Sequence, residues 1–496
     1  MTRQVAFNLV KRMSGAICHS VALLLFILQC VSLAFAQPSP DTLWTRVIGS
    51  DQPDLAYDIR ETADGGYIVA GYTSTAGGAR AVLVRLDTWG DTLWARSYYE
   101  EGALMAMCVH EMPDGGFIFS GSGLSEQGMG RALGARTDAS GNMLWSTVLG
   151  DSHQRWGHSI YPTSDGGCVI AAGDGYTYLP DIRLIKLDAD GDTVWTRFYG
   201  DSSTDIVREV QQTAAGGYIF AGSTRMHPET GLDLYLVRTN ENGDTLWTRT
   251  YGGDDGEWGL AMDQCSDGGF VIAGMLERYG GPEDYDIVVA KTDSLGNLEW
   301  TRIYDDPAVY AESIEQTTDG GYIVCGISEV YGVSLADVYL LKLNANGDSL
   351  WTRTYGGAQT DVGLAVRQTR DYGYVVAGYT LSFAYPDWNM YVIRTGPDLA
   401  APPRPLFLPE SIVLHQNYPN PFNASTLIAF NLPKAGSVKL KVFDLLGREV
   451  RTLVEEMRIA GHHTILFDGS NLPSGIYLYR LEMGSVHETK KMVLLK

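Results

Sequence analysis

The sequence predicts an all-β chain: a seven-bladed β-propeller followed by a small Ig-like β-sandwich. Three observations carry that expectation. Seven tryptophans, Trp44, Trp94, Trp145, Trp195, Trp247, Trp300 and Trp351, recur at a period of about fifty residues. Each is followed 20 residues later, or 19 after Trp300, by a Gly-Gly-type turn beginning at Asp64, Asp114, Asp165, Ala215, Asp267, Asp319 and Asp371, the last reading Asp-Tyr-Gly. At Ala400-Ala-Pro-Pro-Arg-Pro405 the repeat stops and the composition becomes that of a stiff linker.

Taken in order, residues 1–36 read as a secretory signal. Arg3, Lys11 and Arg12 form the positive start, Val21 to Leu28 the apolar centre, and Ala34-Phe-Ala36 the small-x-small cleavage pattern. Cleavage after Ala36 leaves no transmembrane anchor, because no later stretch is apolar enough to span. It also removes Cys18 and Cys30. The remaining Cys108, Cys168, Cys265 and Cys325 stand singly, without metal-ligand spacing, and are read as small buried apolar side chains.

Residues 37–400 hold the repeat. Within a unit four strands are expected, illustrated by Ala311–Thr317, Tyr322–Gly326, Val338–Leu343 and Ser349–Arg353. Their β-branched and aromatic content, with turn residues every eight to twelve positions, favours strands over helices. The first two strands are joined by the Gly-Gly turn. The last two are joined by an Asp/Asn-x-x-Gly-Asp/Asn turn found six times, from Asp87–Asp91 to Asn344–Asp348. Its first side chain can accept a backbone N–H and its glycine can adopt positive φ. The array opens with a lone fourth strand, Asp41–Arg46, and closes with a unit lacking one, ending at Met390–Arg394. The first strand is therefore expected to complete the last sheet and close a ring.

The net charge is -22, and the basic excess lies in the two terminal regions, so the repeat region is strongly acidic. Such a surface repels phosphate backbones, which excludes nucleic acid as a partner. The motif Asp188-x-Asp190-x-Asp192 looks calcium-like alone, but other copies of the turn replace its middle acid, so a hairpin explains it better. Adjacent acids such as Asp254-Asp255 and Asp305-Asp306 read as solvated loop charge. No catalytic set, metal site or cofactor site is expected. The uniform turns mark a structural face, and the variable connections at the opposite end are the place to search for ligands. Five aromatics there, Trp156, Tyr176, Trp258, Tyr285 and Trp388, are the candidate ligand-binding residues, suited to stacking on a sugar or anchoring a protein partner.

The spacing of glycine and tryptophan in the last hairpin of each unit, Gly191 to Trp195 for instance, resembles the tryptophan-docking motif of quinoprotein propellers. That resemblance implies an indole packed between neighbouring blades and no quinone site. Residues 401–411 form the proline-rich linker. Residues 412–496 resemble the type A C-terminal sorting domain of the type IX secretion system, through Gln416–Asn423, Val442–Val450, Ala460-Gly-His462, Leu472–Arg480 and the terminal Lys490–Lys496. The resemblance implies export to the bacterial outer surface or release, recognition by the secretion machinery, and sorting roles for Gly447, Arg448, Gly475, Tyr477, Lys490 and Lys491. The expected function is a secreted or surface propeller that binds a glycan or a protein. A polysaccharide-active enzyme and a structural surface-layer component are the alternatives.

Overall fold

The computed structural model describes residues 39–398 and 412–495. Outside it within the first span are 77, 100–102, 125–129, 150–154, 175–181, 201–203, 226–230, 254, 279–284, 306–308, 331–334 and 384–386; within the second, 415–416, 418–419, 421, 424, 433–435, 459–460 and 485. The proposed signal and linker therefore lie outside the described residues. The chain divides into two compact units, Met1–Ala400 and Ala401–Lys496.

The described residues of the first unit form seven four-stranded antiparallel sheets, giving a propeller-like fold. Their first strands, here called inner, are Asp54–Glu61, Ala103–Glu111, Arg155–Pro162, Asp205–Gln212, Gly256–Gln264, Val309–Gln316 and Asp361–Gln368. Each inner strand packs against the inner strands on either side, and the seventh packs against the first, so the seven close on themselves. The expected closure is present: Thr42–Ile48 pairs with Asn389–Thr395 as the fourth strand of the seventh sheet, with Thr45 opposite Ile393 and Val47 opposite Tyr391. The structure thereby removes two open sheet edges at the chain ends. The Arg394 guanidinium, donating to Tyr67 at 2.8 Å, ties the seventh sheet to the first.

The repeated tryptophan packs between sheets, as its spacing implies. Six of the seven rings lie against an aromatic that opens the second strand of the next sheet. Trp44 meets Tyr67 at 5.7 Å and Trp195 meets Tyr218 at 5.6 Å, both edge to face. The third tryptophan, Trp145, packs in a cluster with Cys168. The turn glycine beyond it has no room for a side chain: a Cβ on Gly191 (φ +88°) would stand 2.6 Å from the Trp145 ring. Backbone conformation and interface packing both demand glycine there.

The acids of the repeat are structural. Asp188 Oδ1 accepts the Asp190 and Asp192 N–H groups at 3.0 and 2.9 Å, closing the hairpin as expected. The Gly-Gly turn acids meet a buried cation two strands away: Lys186 reaches Asp165 at 2.8 Å and Lys342 reaches Asp319 at 3.0 Å. The fourth repeat has Ala215 at this position, and its Arg238 turns to neutral acceptors, the Thr213 hydroxyl and the Gly216 carbonyl. Cys108, Cys168, Cys265 and Cys325 are buried and free, and burial pushes the thiols up, Cys108 to about 11 and Cys168 to about 12. They act as small apolar side chains.

The second unit is a β-sandwich. A three-stranded sheet (Val413–Leu414, Ser425–Leu432, Gly461–Asp468) and a four-stranded sheet (Glu449–Arg458, Gly436–Phe443, Gly475–Met483, Val486–Leu494) share one core. Phe430 and Phe467 from the first meet Val438, Leu440 and Tyr479 from the second. Glu449–Arg458 is a strand that sequence reading did not separate from its motif. No helix among the described residues is long and apolar enough to cross a membrane.

Candidate functional site

Four of the five candidate aromatics lie among the described residues, on three different sheets; Tyr176 lies outside them, as do Tyr178, Tyr279, Tyr331 and Tyr385. Trp156, on the third inner strand, is half-buried opposite Gly173. Trp258 occupies the matching place on the fifth inner strand, and its indole N–H donates to Glu277 at 3.3 Å. Tyr285 stands opposite Glu277 in the register of the same sheet. Trp388 is 40% exposed and stacks on Tyr379 with ring centroids 5.2 Å apart. Its carbonyl accepts the Asp54 N–H at 2.8 Å, which fixes that loop to the first sheet.

The structure also assembles a site that motif reading missed. Every inner strand carries a β-bulge, skipping Tyr57, Met107, His158, Arg208, Leu260, Glu312 and Leu364 in turn. Three residues beyond each bulge stand Arg60, His110, Tyr161, Gln211, Asp263, Glu315 and Arg367. These side chains converge on the axis. Arg60, from the first sheet, is held more strongly protonated by Asp58, Cys108, Glu209 and Glu315 from the first, second, fourth and sixth sheets, against the cost of burial. Burial, then the Arg60 and Arg367 charges, press His110 well below the ordinary histidine value. Its ring meets Tyr161 edge on at 5.1 Å.

The axial ring is internally bonded. Asp58 accepts from Arg60 at 3.3 Å and from Arg367 at 3.0 Å. Its second role is to accept the Val109 N–H of the next inner strand at 3.1 Å. Glu209 does the same for Met262 at 2.9 Å, and Asp263 for Gln316 at 2.8 Å. The inner edges of the second, fifth and sixth sheets thus find carboxylate acceptors on the preceding sheet. Glu315 is pushed up to about 7 by burial, against the Arg367 charge.

A second arrangement recurs between sheets at the opposite end from the Gly-Gly turns. An acid at the start of an inner strand meets one near the start of the third strand on the preceding sheet. Asp233 Oδ1 and Glu257 Oε2 lie 2.0 and 2.8 Å from where a Cβ on Gly252 would stand. Asp337 and Asp361 flank Gly356 in the same way, at 2.0 and 2.7 Å. Burial raises Glu257 to about 7, with Asp233 and Asp255 adding to the shift, and it also raises Asp337. Among the described residues no group of three or more His, Cys, Asp or Glu side chains is arranged to hold a metal ion.

In the second unit, Gly447 (φ +77°) and Arg448 close a hairpin on Asp444, whose Oδ1 accepts the Arg448 N–H at 2.9 Å. This is the Asp-x-x-Gly turn of the repeat, reused. Gly475 opens a strand, and the Tyr477 hydroxyl donates to the Pro473 carbonyl at 2.8 Å. Lys490 and Lys491 lie on the edge strand, opposite Tyr479 and Leu478. Residues 416–495 match the family model described as the secretion system C-terminal sorting domain. The tail is a sorting domain. It bears out the resemblance seen in the sequence and marks a protein exported to the cell surface or secreted.

No curated protein matches this sequence. Among solved structures, PorZ, described as an essential surface component of the type-IX secretion system of Porphyromonas gingivalis, aligns at 9% identity and a TM-score of 0.36, over 92% of this chain and 75% of its own. The polysaccharide lyase Uly1 aligns at 9% identity and 0.46, over 72% of this chain and 99% of its own. A fungal alcohol oxidase aligns at 12% and 0.44, over 92% and 100%. All three TM-scores are below 0.5, and no residue role is carried over from them.

Proposed function

We propose that the chain is an exported ligand-binding protein, delivered by type IX secretion, whose ring of sheets is a seven-bladed propeller. The single observation that supports delivery is the sorting domain at 416–495. Residues 1–36 act as a signal cleaved after Ala36, the secretion machinery reads the tail through Gly447, Arg448, Gly475, Tyr477, Lys490 and Lys491, and 401–411 is a linker. The ligand is a glycan, or alternatively a surface protein, bound by Trp156, Trp258, Tyr285 and Trp388 of the variable end, with Tyr176, outside the described residues, as the fifth candidate. Aromatic rings beside carboxylates favour sugar recognition, because a ring takes the apolar sugar face while the carboxylate accepts hydroxyls.

Truncation after Asp398 tests the delivery. The full chain should reach the surface or the medium, and the truncated chain should stay in the periplasm. Normal surface delivery of the truncated chain would remove the basis of the reading. Retention of saccharides without turnover favours binding, and release of cleaved product would favour a polysaccharide-active enzyme instead.

A further inference from the structure

The fourth and fifth sheets meet at a junction lined by both charged and apolar side chains. A cleft of about 600 Å³ opens there, between the outer strand Thr245–Tyr251 and the face of the fifth sheet. Glu257 lies at one end and Arg249 and Asn297 line the cleft, with Leu276, Val288 and Ile303 supplying apolar surface. That volume falls in the range of small-molecule sites.

Two local differences between repeats shape this junction. Between the sixth and seventh sheets the equivalent ground is covered: a Cβ on Gly357 would meet Ser382 at 2.6 Å and Phe383 at 3.2 Å. Among the described residues, a Cβ on Gly253, the matching glycine, would meet only Glu257, at 3.9 Å. The second change concerns Arg249. At two other junctions the same arginine pairs with the turn acid of the next sheet, Arg46 with Asp91 at 3.2 Å and Arg197 with Asp244 at 3.7 Å, whereas Arg96, like Arg249, meets an asparagine, Asn142, at that turn position. At this junction the turn residue is Asn297, so Arg249 has no carboxylate partner among the described residues and keeps guanidinium donors for a ligand.

We propose that this cleft binds a neutral hydroxylated ligand of one or two sugar units, with Glu257 accepting hydroxyls at one end and Arg249 and Asn297 bonding them at the other. The inference rests on the glycan reading above and places it at a defined junction. The chemistry argues for neutrality. An anion would meet Asp233, Asp255 and Glu257 at the inner end, and a cation would meet Arg249 at the outer end. A sugar satisfies both and lays its C–H face on the exposed Ile303.

Saturation-transfer NMR on the full chain with cellobiose, maltose and lactose, followed by calorimetric titration of whichever binds, tests this. Glu257→Gln removes the charged acceptor. Thr301→Trp, at an exposed position on the wall, fills the cleft from the outer strand. Each should weaken binding at least tenfold while the thermal midpoint stays within a few degrees of the parent. Binding unchanged in both variants would overturn the cleft assignment and leave the glycan reading standing. No binding of any of the three disaccharides by the parent chain would overturn the cleft assignment. If, in addition, a broad glycan array retains nothing, the glycan reading fails as well.

Discussion

The outer and inner strands of the same sheets follow opposite rules. On the outer strands one position is tryptophan in all seven copies, and its ring docks on the next sheet. On the inner strands the position three beyond the bulge is Arg60, His110, Tyr161, Gln211, Asp263, Glu315 and Arg367, with only arginine used twice. The difference is geometric. An outer tryptophan meets one neighbour, and that meeting is the same at each junction, so one solution serves seven times. The inner side chains meet each other on an axis, where seven identical charges would repel. Repeats must therefore diverge toward the axis even where no ligand is involved, and divergence alone does not mark a binding site.

Three measurements sharpen this contrast. Asp58→Ala should have the largest effect, because it strips Arg60 and Arg367 of their shared carboxylate and leaves the Val109 N–H without its acceptor. A loss of about 4 kcal/mol is expected from denaturant midpoints. A loss below about 1 kcal/mol would mean that water replaces the carboxylate, and that the axial ring is not structural.

Next come two glycine substitutions at nearly equal φ. Gly166 (φ +85°) has nothing within 4 Å of a built Cβ, whereas Gly191 (φ +88°) would press on Trp145. Gly166→Ala should lose about 1 kcal/mol, the cost of the left-handed conformation alone. Gly191→Ala should lose about 3 kcal/mol, adding overpacking against the indole. Equal losses in thermal unfolding would show that the docked ring yields, and that uniformity there reflects the turn rather than the junction.

The smallest effect is a pH response from the inner strands. Burial and the Arg208 charge push His158 down to about 3, so the folded protein keeps it neutral while the unfolded chain protonates it below its ordinary value. Its contribution to stability is whole above about pH 6.5 and declines as pH falls toward 3. Glu315, raised to about 7, works the other way: it favours the folded state below its ordinary value and loses that contribution as pH rises to 7. The two nearly offset each other between. His158→Gln should lessen the fall in thermal midpoint between pH 6.5 and 4.5, and Glu315→Gln should steepen it. Parallel midpoint curves for the parent and both variants would show that axial water screens these groups.

Much of the fold was legible because each element is coded locally. The tryptophan spacing, the Asp-x-x-Gly hairpins and the complementary terminal strands each depend on a few neighbouring residues. The candidate site was legible only in part. Trp258, Tyr285 and Trp388 are legible as aromatics in variable connections, but the Glu277 carboxylate that Trp258 bonds comes from the neighbouring strand. Glu257 gave no signal in the sequence, since nothing nearby announces Asp233 beside it. A comparison of inner strands aligned on the Gly-Gly turn would have exposed the seven unlike residues at one position.

The sequence by itself determined that this chain is a repeated β array closed by its own first strand and ended by a sorting domain. Those features reside in period, turn chemistry and contiguous motifs. Tertiary structure alone decided which charges share the axis, which acids face each other across a glycine, and which junction stays open. These depend on residues roughly two dozen, fifty or several hundred positions apart, which packing of neighbouring sheets and, for the axis, closure of the ring bring within reach of one another.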